Sequence, residues 1–219
     1  MERQKYTLGL SIKISIISFL VLLFHAVGLL GFLNTEWQSH FIALVPFHLL
    51  LMFALLLVSQ QTWNRHFLQF VLLTYLGGYG IEYLGVHTGL IFGSYDYGDT
   101  LGTKFADIPL LIGVNWVLLI YSVGTSIEYL NLKNKVLNLL LAAAVLVLLD
   151  TLIEPVAIQF DYWSWEGGLI PLQNYAAWFL VSLAGCWFFK RMKFTKQNLF
   201  GPVLLLAQFL FFIALNLWA

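Results

Sequence analysis

With 219 residues, 60% of them apolar, only 10% charged and a net charge of zero, the chain falls well short of the roughly 25% charge of a soluble domain. That composition belongs to a polytopic membrane protein, and the lack of a basic excess excludes a nucleic-acid partner. The single cysteine, Cys186, excludes an intrachain disulfide; it lies in an apolar run and reads as a small packing residue.

The N-terminal MERQK and the apolar stretch after it mimic a signal peptide. The apolar run continues to Leu33, beyond the roughly 7–15 residues of a signal core, and no small-x-small cleavage site follows. It therefore reads as a first, retained membrane helix over 8–33. Further apolar runs predict helices over 40–59, 66–88, 108–128, 135–158, 174–190 and 199–218, most of them near the ~20 residues a bilayer span requires. The expected fold class is all-α: a single domain over 1–219 forming a bundle of about seven transmembrane helices. The connections are short except around 89–107 and 159–173.

Lys and Arg orient the bundle. Arg3, Lys5, Lys13, Arg65, Lys133, Lys135, Lys190, Arg191, Lys193 and Lys196 fall on one side, and only Lys104 on the other. The positive-inside rule then predicts a cytoplasmic N-terminus and an extracytoplasmic C-terminus, in a multi-pass protein of the cytoplasmic (inner) membrane.

The fifth helix ends in the stretch DTLIEPVA, with Asp150 and Glu154 one turn apart and Pro155 next. A carboxylate in hydrocarbon costs several kcal/mol unless offset. At a rise of about 1.5 Å per residue, these two acids share a depth with Glu82 on the third helix, His25 on the first, His48 on the second and Asn115 on the fourth. The layer lies in the outer half of the membrane, with Gln208 nearer the middle. Interhelical hydrogen bonds account readily for one such residue. Three acids together, with no basic group near, point to function, and apolar surroundings favour a carboxyl group that keeps its proton at neutral pH.

Two Gly- and aromatic-rich loops lie over this layer, HTGLIFGSYDYGDTLGTKFADIP and QFDYWSWEGGLIPLQN. Tyr95, Tyr97, Trp163 and Trp165 suit either an interfacial aromatic belt or a lid over a ligand. Gly77, Gly85, Gly89 and Gly93 recur on multiples of four and read as a close-packing face. A retinal protein is excluded, because the last helix lacks a Schiff-base lysine. The five histidines form no HxxH box. No metal is assigned, although His25, His48 and the carboxylates share a depth and leave a mixed His/carboxylate site open.

From Glu82, the segment EYLGVHTGLIFGSYDY with Leu101-Gly102, Ile108-Pro109 and Trp116 resembles the carotenoid biosynthesis membrane proteins typified by the carotenoid 1,2-hydratases, which include enzymes acting on γ-carotene and on bisanhydrobacterioruberin. A second block agrees: Asp150, Glu154-Pro155, Trp163-Ser-Trp165, Pro171, Asn174 and Trp178. Two departures are Glu154 where Asp is common before the proline, and Leu169 where Gly commonly precedes Ile-Pro. The resemblance implies hydration of the terminal C1=C2 bond of an acyclic (ψ) carotenoid end, with water and the carotenoid as substrates, membrane lipid as surroundings and no cofactor.

That chemistry needs a carboxylic acid to protonate C2, negative charge or aromatic faces near the tertiary cation at C1, and a base for the attacking water. Asp150, the deeper of its pair, is the expected proton donor. Glu82 and Glu154 are expected to divide the roles of base and cation stabiliser in an order that stays open. Asp96 and Asn174 are expected to position water or close the loops, with Tyr95, Tyr97, Trp163 and Trp165 walling the cation and His25, His48 and Asn115 positioning substrate. A membrane lycopene-cyclase-type enzyme shares the first protonation. A non-catalytic carotenoid- or lipid-binding protein would not need three acids. A proton-coupled transporter fits poorly, as no inverted repeat is visible. Oligomeric state stays open.

Overall fold

A computed structural model of the chain describes residues 2–196 and 198–218. The side chains of residues 1–11 lie outside that description, and with them Arg3 and Lys5 of the orientation argument. The fold is all-α with short β pairings in its loops. In chain order it runs α1 Glu2–Leu33, α2 Gln38–Ala43, α3 Val45–Ser59, α4 Arg65–Thr88, β1 Tyr95–Tyr97, β2 Lys104–Phe105, β3 Ile108–Pro109, α5 Leu111–Tyr129, α6 Lys135–Gln159, β4 Trp163–Trp165, a 3-10 turn Glu166–Gly168, α7 Leu172–Arg191 and α8 Phe200–Trp218.

The long helices fall where the apolar runs predicted them. Among the described residues four stretches are long and apolar enough to cross a membrane: Ile12–Leu33, Leu111–Leu130, Lys135–Gln159 and Phe200–Trp218. α3 is as apolar but shorter, and α4 and α7 are diluted by Gly, Tyr, Glu82, Asn174 and Gln173. The single helix expected over 40–59 is two, broken at Leu44. Pro46 is the cause: it has no N–H for the Ile42 carbonyl, and its ring crowds that carbonyl.

α5 is the central helix. Its sequence is apolar on every side, and a helix of that kind is buried all round; α3, α4, α6, α7 and α8 pack about it. Gly113 and Gly124 allow the approach, since a Cβ there would lie 2.7 Å from the Tyr75 ring and 2.6 Å from the Phe189 ring. α1 packs on α8 and, more lightly, on α3. At one end of the bundle a buried network joins three segments: Asn198 Nδ2 donates to Ser59 and Tyr121, and Tyr121 donates to Gln60.

At the other end the two long loops pair. β1 and β4 run antiparallel, with Tyr95 opposite Trp165, Asp96 opposite Ser164 and Tyr97 opposite Trp163. β2 and β3 form a hairpin whose turn residues, Ala106 and Asp107, both have positive φ (46° and 66°), as a type I′ turn requires. α6 continues as helix through Pro155 to Gln159. The reversal that carries the chain into β4 comes at Asp161, with φ 57°, rather than at the proline.

Candidate active site

Glu82 lies on the face of α4 marked by Gly78 and Gly85. A Cβ at Gly78 would sit 2.6 Å from Trp116, and one at Gly85 would sit 2.7 Å from Phe92 and 3.2 Å from the Tyr95 hydroxyl. Glycine at both positions clears room for the groups that reach Glu82. The expected face through Gly77 is displaced by one residue, for Gly77 has nothing within 4 Å of its Cβ position. Seven residues return almost to the same helix face, whereas eight overshoot it.

The Tyr95 and Tyr97 hydroxyls donate to Glu82 Oε2 at 2.5 and 2.7 Å, and Trp116 Nε1 donates to Oε1 at 2.9 Å. Strand alternation explains why two tyrosines reach one carboxylate: Tyr95 and Tyr97 point inward and Asp96 outward. The Asp96 side chain therefore points away from Glu82, while its backbone takes part in the pairing that joins the two loops. Burial first, then the Glu82 charge, raises the Tyr95 and Tyr97 hydroxyls well above the ordinary phenol range.

The second acid group lies on α6. Asn174, in the first turn of α7, donates through Nδ2 to both Asp150 Oδ2 (2.9 Å) and Glu154 Oε1 (3.1 Å). Trp163 and Trp165 donate their ring N–H groups to Glu154 Oε2 at 3.0 and 2.8 Å. Both indoles can do so because β4 is held in register against β1, with the Tyr95 and Trp165 rings 5.1 Å apart and the Tyr97 and Trp163 rings 6.1 Å apart. Below, Trp116 and Trp178 pack with centroids 4.7 Å apart. None of the three acids is more than 5% exposed. Among the described residues no cation pairs with any of them. Lys104 is held on the roof by the Tyr97 carbonyl and Asp99.

The three carboxyl groups are not equivalent. Glu82 and Glu154 each receive three donors, and every donor is an N–H or O–H. Such oxygens act as acceptors, as those of an ionised carboxylate do. Asp150 receives one donor, and its Oδ1 is buried with no partner among the described residues. Among the described residues it is the one acid of the three with an oxygen that has no hydrogen-bond partner.

His25, His48 and Asn115 are not with the acids. They line a separate cavity of about 370 Å³ between α1, α3, α5 and α8. The single polar layer expected from depth is thus two compartments, back to back. On α5, Asn115 faces the cavity and Trp116 faces Glu82; on α6, Ile153 faces the cavity and Glu154 the acid group. Trp163 belongs to both, its ring on the cavity wall and its N–H on Glu154. Phe24, Val27, Leu44 and Phe47 line the cavity and are also exposed, so it opens between α1 and the α2–α3 segment. Among the described residues no three His, Cys, Asp or Glu side chains are grouped to hold a metal ion. Trp116, Trp178 and Tyr162 gained no role from sequence reasoning, although the first two stand in the motif blocks; their spacing carries no sign that Trp116 meets Glu82, that Trp178 packs on Trp116 or that Tyr162 lines the cavity.

A family model described as carotenoid biosynthesis protein matches residues 40–219. The bisanhydrobacterioruberin hydratase of Haloarcula japonica is 32% identical over 112 residues, a stretch covering 48% of this chain and 38% of that relative. No solved structure matches the chain.

Proposed function

The chain belongs to the carotenoid biosynthesis protein family, and from that premise we propose that it is a carotenoid hydratase adding water across the terminal C1=C2 bond of an acyclic end group. The carrying observation is Asp150: buried, with one open oxygen, beside two carboxylates that each receive three donors and under a roof of aromatic rings. The similarity to a hydratase over part of its length supports the reading.

In this reading Asp150 gives its proton to C2. The π electrons form the new C–H bond and leave a tertiary cation at C1. Glu82 and Glu154, each held by three donors, meet that charge with no reorganisation at the moment of reaction, and the faces of Tyr95, Tyr97, Trp163 and Trp165 add to it. Water attacks C1 and loses a proton to a base, and Asp150 is reprotonated. Asn174 orients the two acids of α6. The apolar cavity admits the isoprenoid end from the bilayer, and Trp163, shared between cavity and acids, marks where the two compartments meet. All seven long helices cross the inner membrane, with the cytoplasmic N-terminus opposite the roof.

Expression in a host that makes a ψ-end carotenoid, followed by pigment mass spectrometry, tests the function. The expected product has gained one water, whereas a cyclase would leave the mass unchanged. Asp150→Asn and Glu82→Gln, made separately, are expected to abolish hydration, and Asp96→Asn, on the outward face of β1, to retain it. Unchanged hydration in both acid variants sinks the assignment.

A further inference from the structure

We propose that His25, His48, Asn115 and Gln208 form the binding site for the water that attacks the cation and for the hydroxyl group it becomes. This rests on the hydratase reading and locates its second substrate in the cavity rather than among the carboxylates.

The cavity wall is apolar except for these four residues, Tyr162 and Trp163, and the Trp163 N–H is already given to Glu154. The four come from four helices: α1, α3, α5 and α8. His25 Nδ1 lies 2.8 Å from the Val21 carbonyl, which can only accept. The proton is therefore on Nδ1, and Nε2 carries a lone pair. The His48 ring stands edge-on to it with centroids 4.7 Å apart. Neither His48 nor Asn115 makes a hydrogen bond within the described residues. Gln208 is 8% exposed, and its Oε1 is buried with no partner among the described residues.

Buried polar groups in proteins are almost always hydrogen-bonded, and one such orphan is unremarkable as a local exception. Four groups with spare hydrogen-bonding capacity around one cavity call for a shared polar ligand. A hydrocarbon chain supplies none. A water molecule supplies two donors and two acceptors, and a buried one takes about 2–4 partners. At about 370 Å³ the cavity has room for an isoprenoid end as well as a water, whose share of liquid volume is about 30 Å³. The acids stand behind α5 and α6 and the polar groups stand across the cavity, so proton and water reach the double bond from different sides. The oxygen lone pair forms the C1–O bond. The proton released passes to the His25 Nε2 lone pair and on to solvent, and Asp150 regains its proton from solvent, which restores both groups.

The test uses the full chain in membranes, an acyclic ψ-end carotenoid and D2O, with mass spectrometry of product and recovered substrate. Wild type is expected to give hydrated product deuterated at C2. In His48→Phe and Gln208→Leu, hydrated product is expected to fall about tenfold to a hundredfold, while deuterium accumulates in unhydrated carotenoid. The cation still forms in these variants and collapses by losing a proton. His48→Asn, which keeps a polar group, is expected to recover part of the hydration. Unchanged hydration in both variants, or equal loss of hydration and deuterium incorporation, overturns the site. Wild type that neither hydrates nor deuterates the carotenoid instead overturns the hydratase reading and the site with it.

Discussion

Glu82→Ala removes the acceptor of three buried donors at once: the Tyr95 and Tyr97 hydroxyls and the Trp116 ring N–H. An orphaned buried donor costs about 1–3 kcal/mol. Three amount to about 3–9 kcal/mol against a typical net stability of about 5–15 kcal/mol. The alanine variant is therefore expected to lose a large part of its net stability and to melt about 6–36 °C lower, at about 2–4 °C per kcal/mol. Glu82→Gln keeps the shape. Its amide oxygen can take the place of Oε2 and retain both tyrosines, leaving Trp116 facing an NH2 group. One orphan costs about 1–3 kcal/mol, and at about 2–4 °C per kcal/mol for a chain of this size the Tm falls by about 2–12 °C. Thermal unfolding in detergent, followed by the loss of monodisperse protein, measures both. Adding Tyr97→Phe to the alanine variant removes one orphan and is expected to recover about 1 kcal/mol or more. A Glu82→Ala protein that melts within a degree or two of wild type would refute the reasoning, because the three donors would then have found other partners.

Two further predictions concern the same wall. Gly78→Ala places a Cβ 2.6 Å from Trp116 and is expected to cost about 1–3 kcal/mol by overpacking and to lower activity by shifting the Glu82 donor. Gly77→Ala, next to it but with nothing within 4 Å, is expected to be neutral or to gain about 0.5–1 kcal/mol; thermal melts and hydration assays of the pair check this. In alkali, burial and then the Glu82 charge keep Tyr95 and Tyr97 protonated in the folded chain. Their folded-state values lie above the unfolded value of about 10, so their contribution to stability is complete below about pH 10 and is lost as pH rises further. A phenolate absorbance titration is expected to show these two hydroxyls ionising only as the protein unfolds, and Tyr97→Phe to remove one of them; early titration of both would contradict their burial against Glu82.

Much of the architecture was legible before folding. The apolar runs marked the long helices because helix burial in lipid is written in local hydrophobicity. The rise per residue put Glu82, Asp150 and Glu154 at one level. The break at Leu44 was also local, and Pro46 was its overlooked sign. The direction in which Asp96 points was hidden for a different reason. Only pairing into β1 sets the alternation that turns Tyr95 and Tyr97 inward and Asp96 out, and that partner strand lies more than sixty residues away.

By itself the sequence determined a membrane helix bundle with three acids at a common depth, since composition, periodicity and helix rise act along the chain. Tertiary structure alone decided that Trp163 and Trp165 would hold Glu154, that Tyr95, Tyr97 and Trp116 would hold Glu82, and that Asp150 would keep an open oxygen. It also separated His25 and His48 from the acids. Depth is one coordinate of three, and the rotation of each helix about its axis, which chooses the side of α5 and α6 a residue faces, is set only when the helices pack against one another.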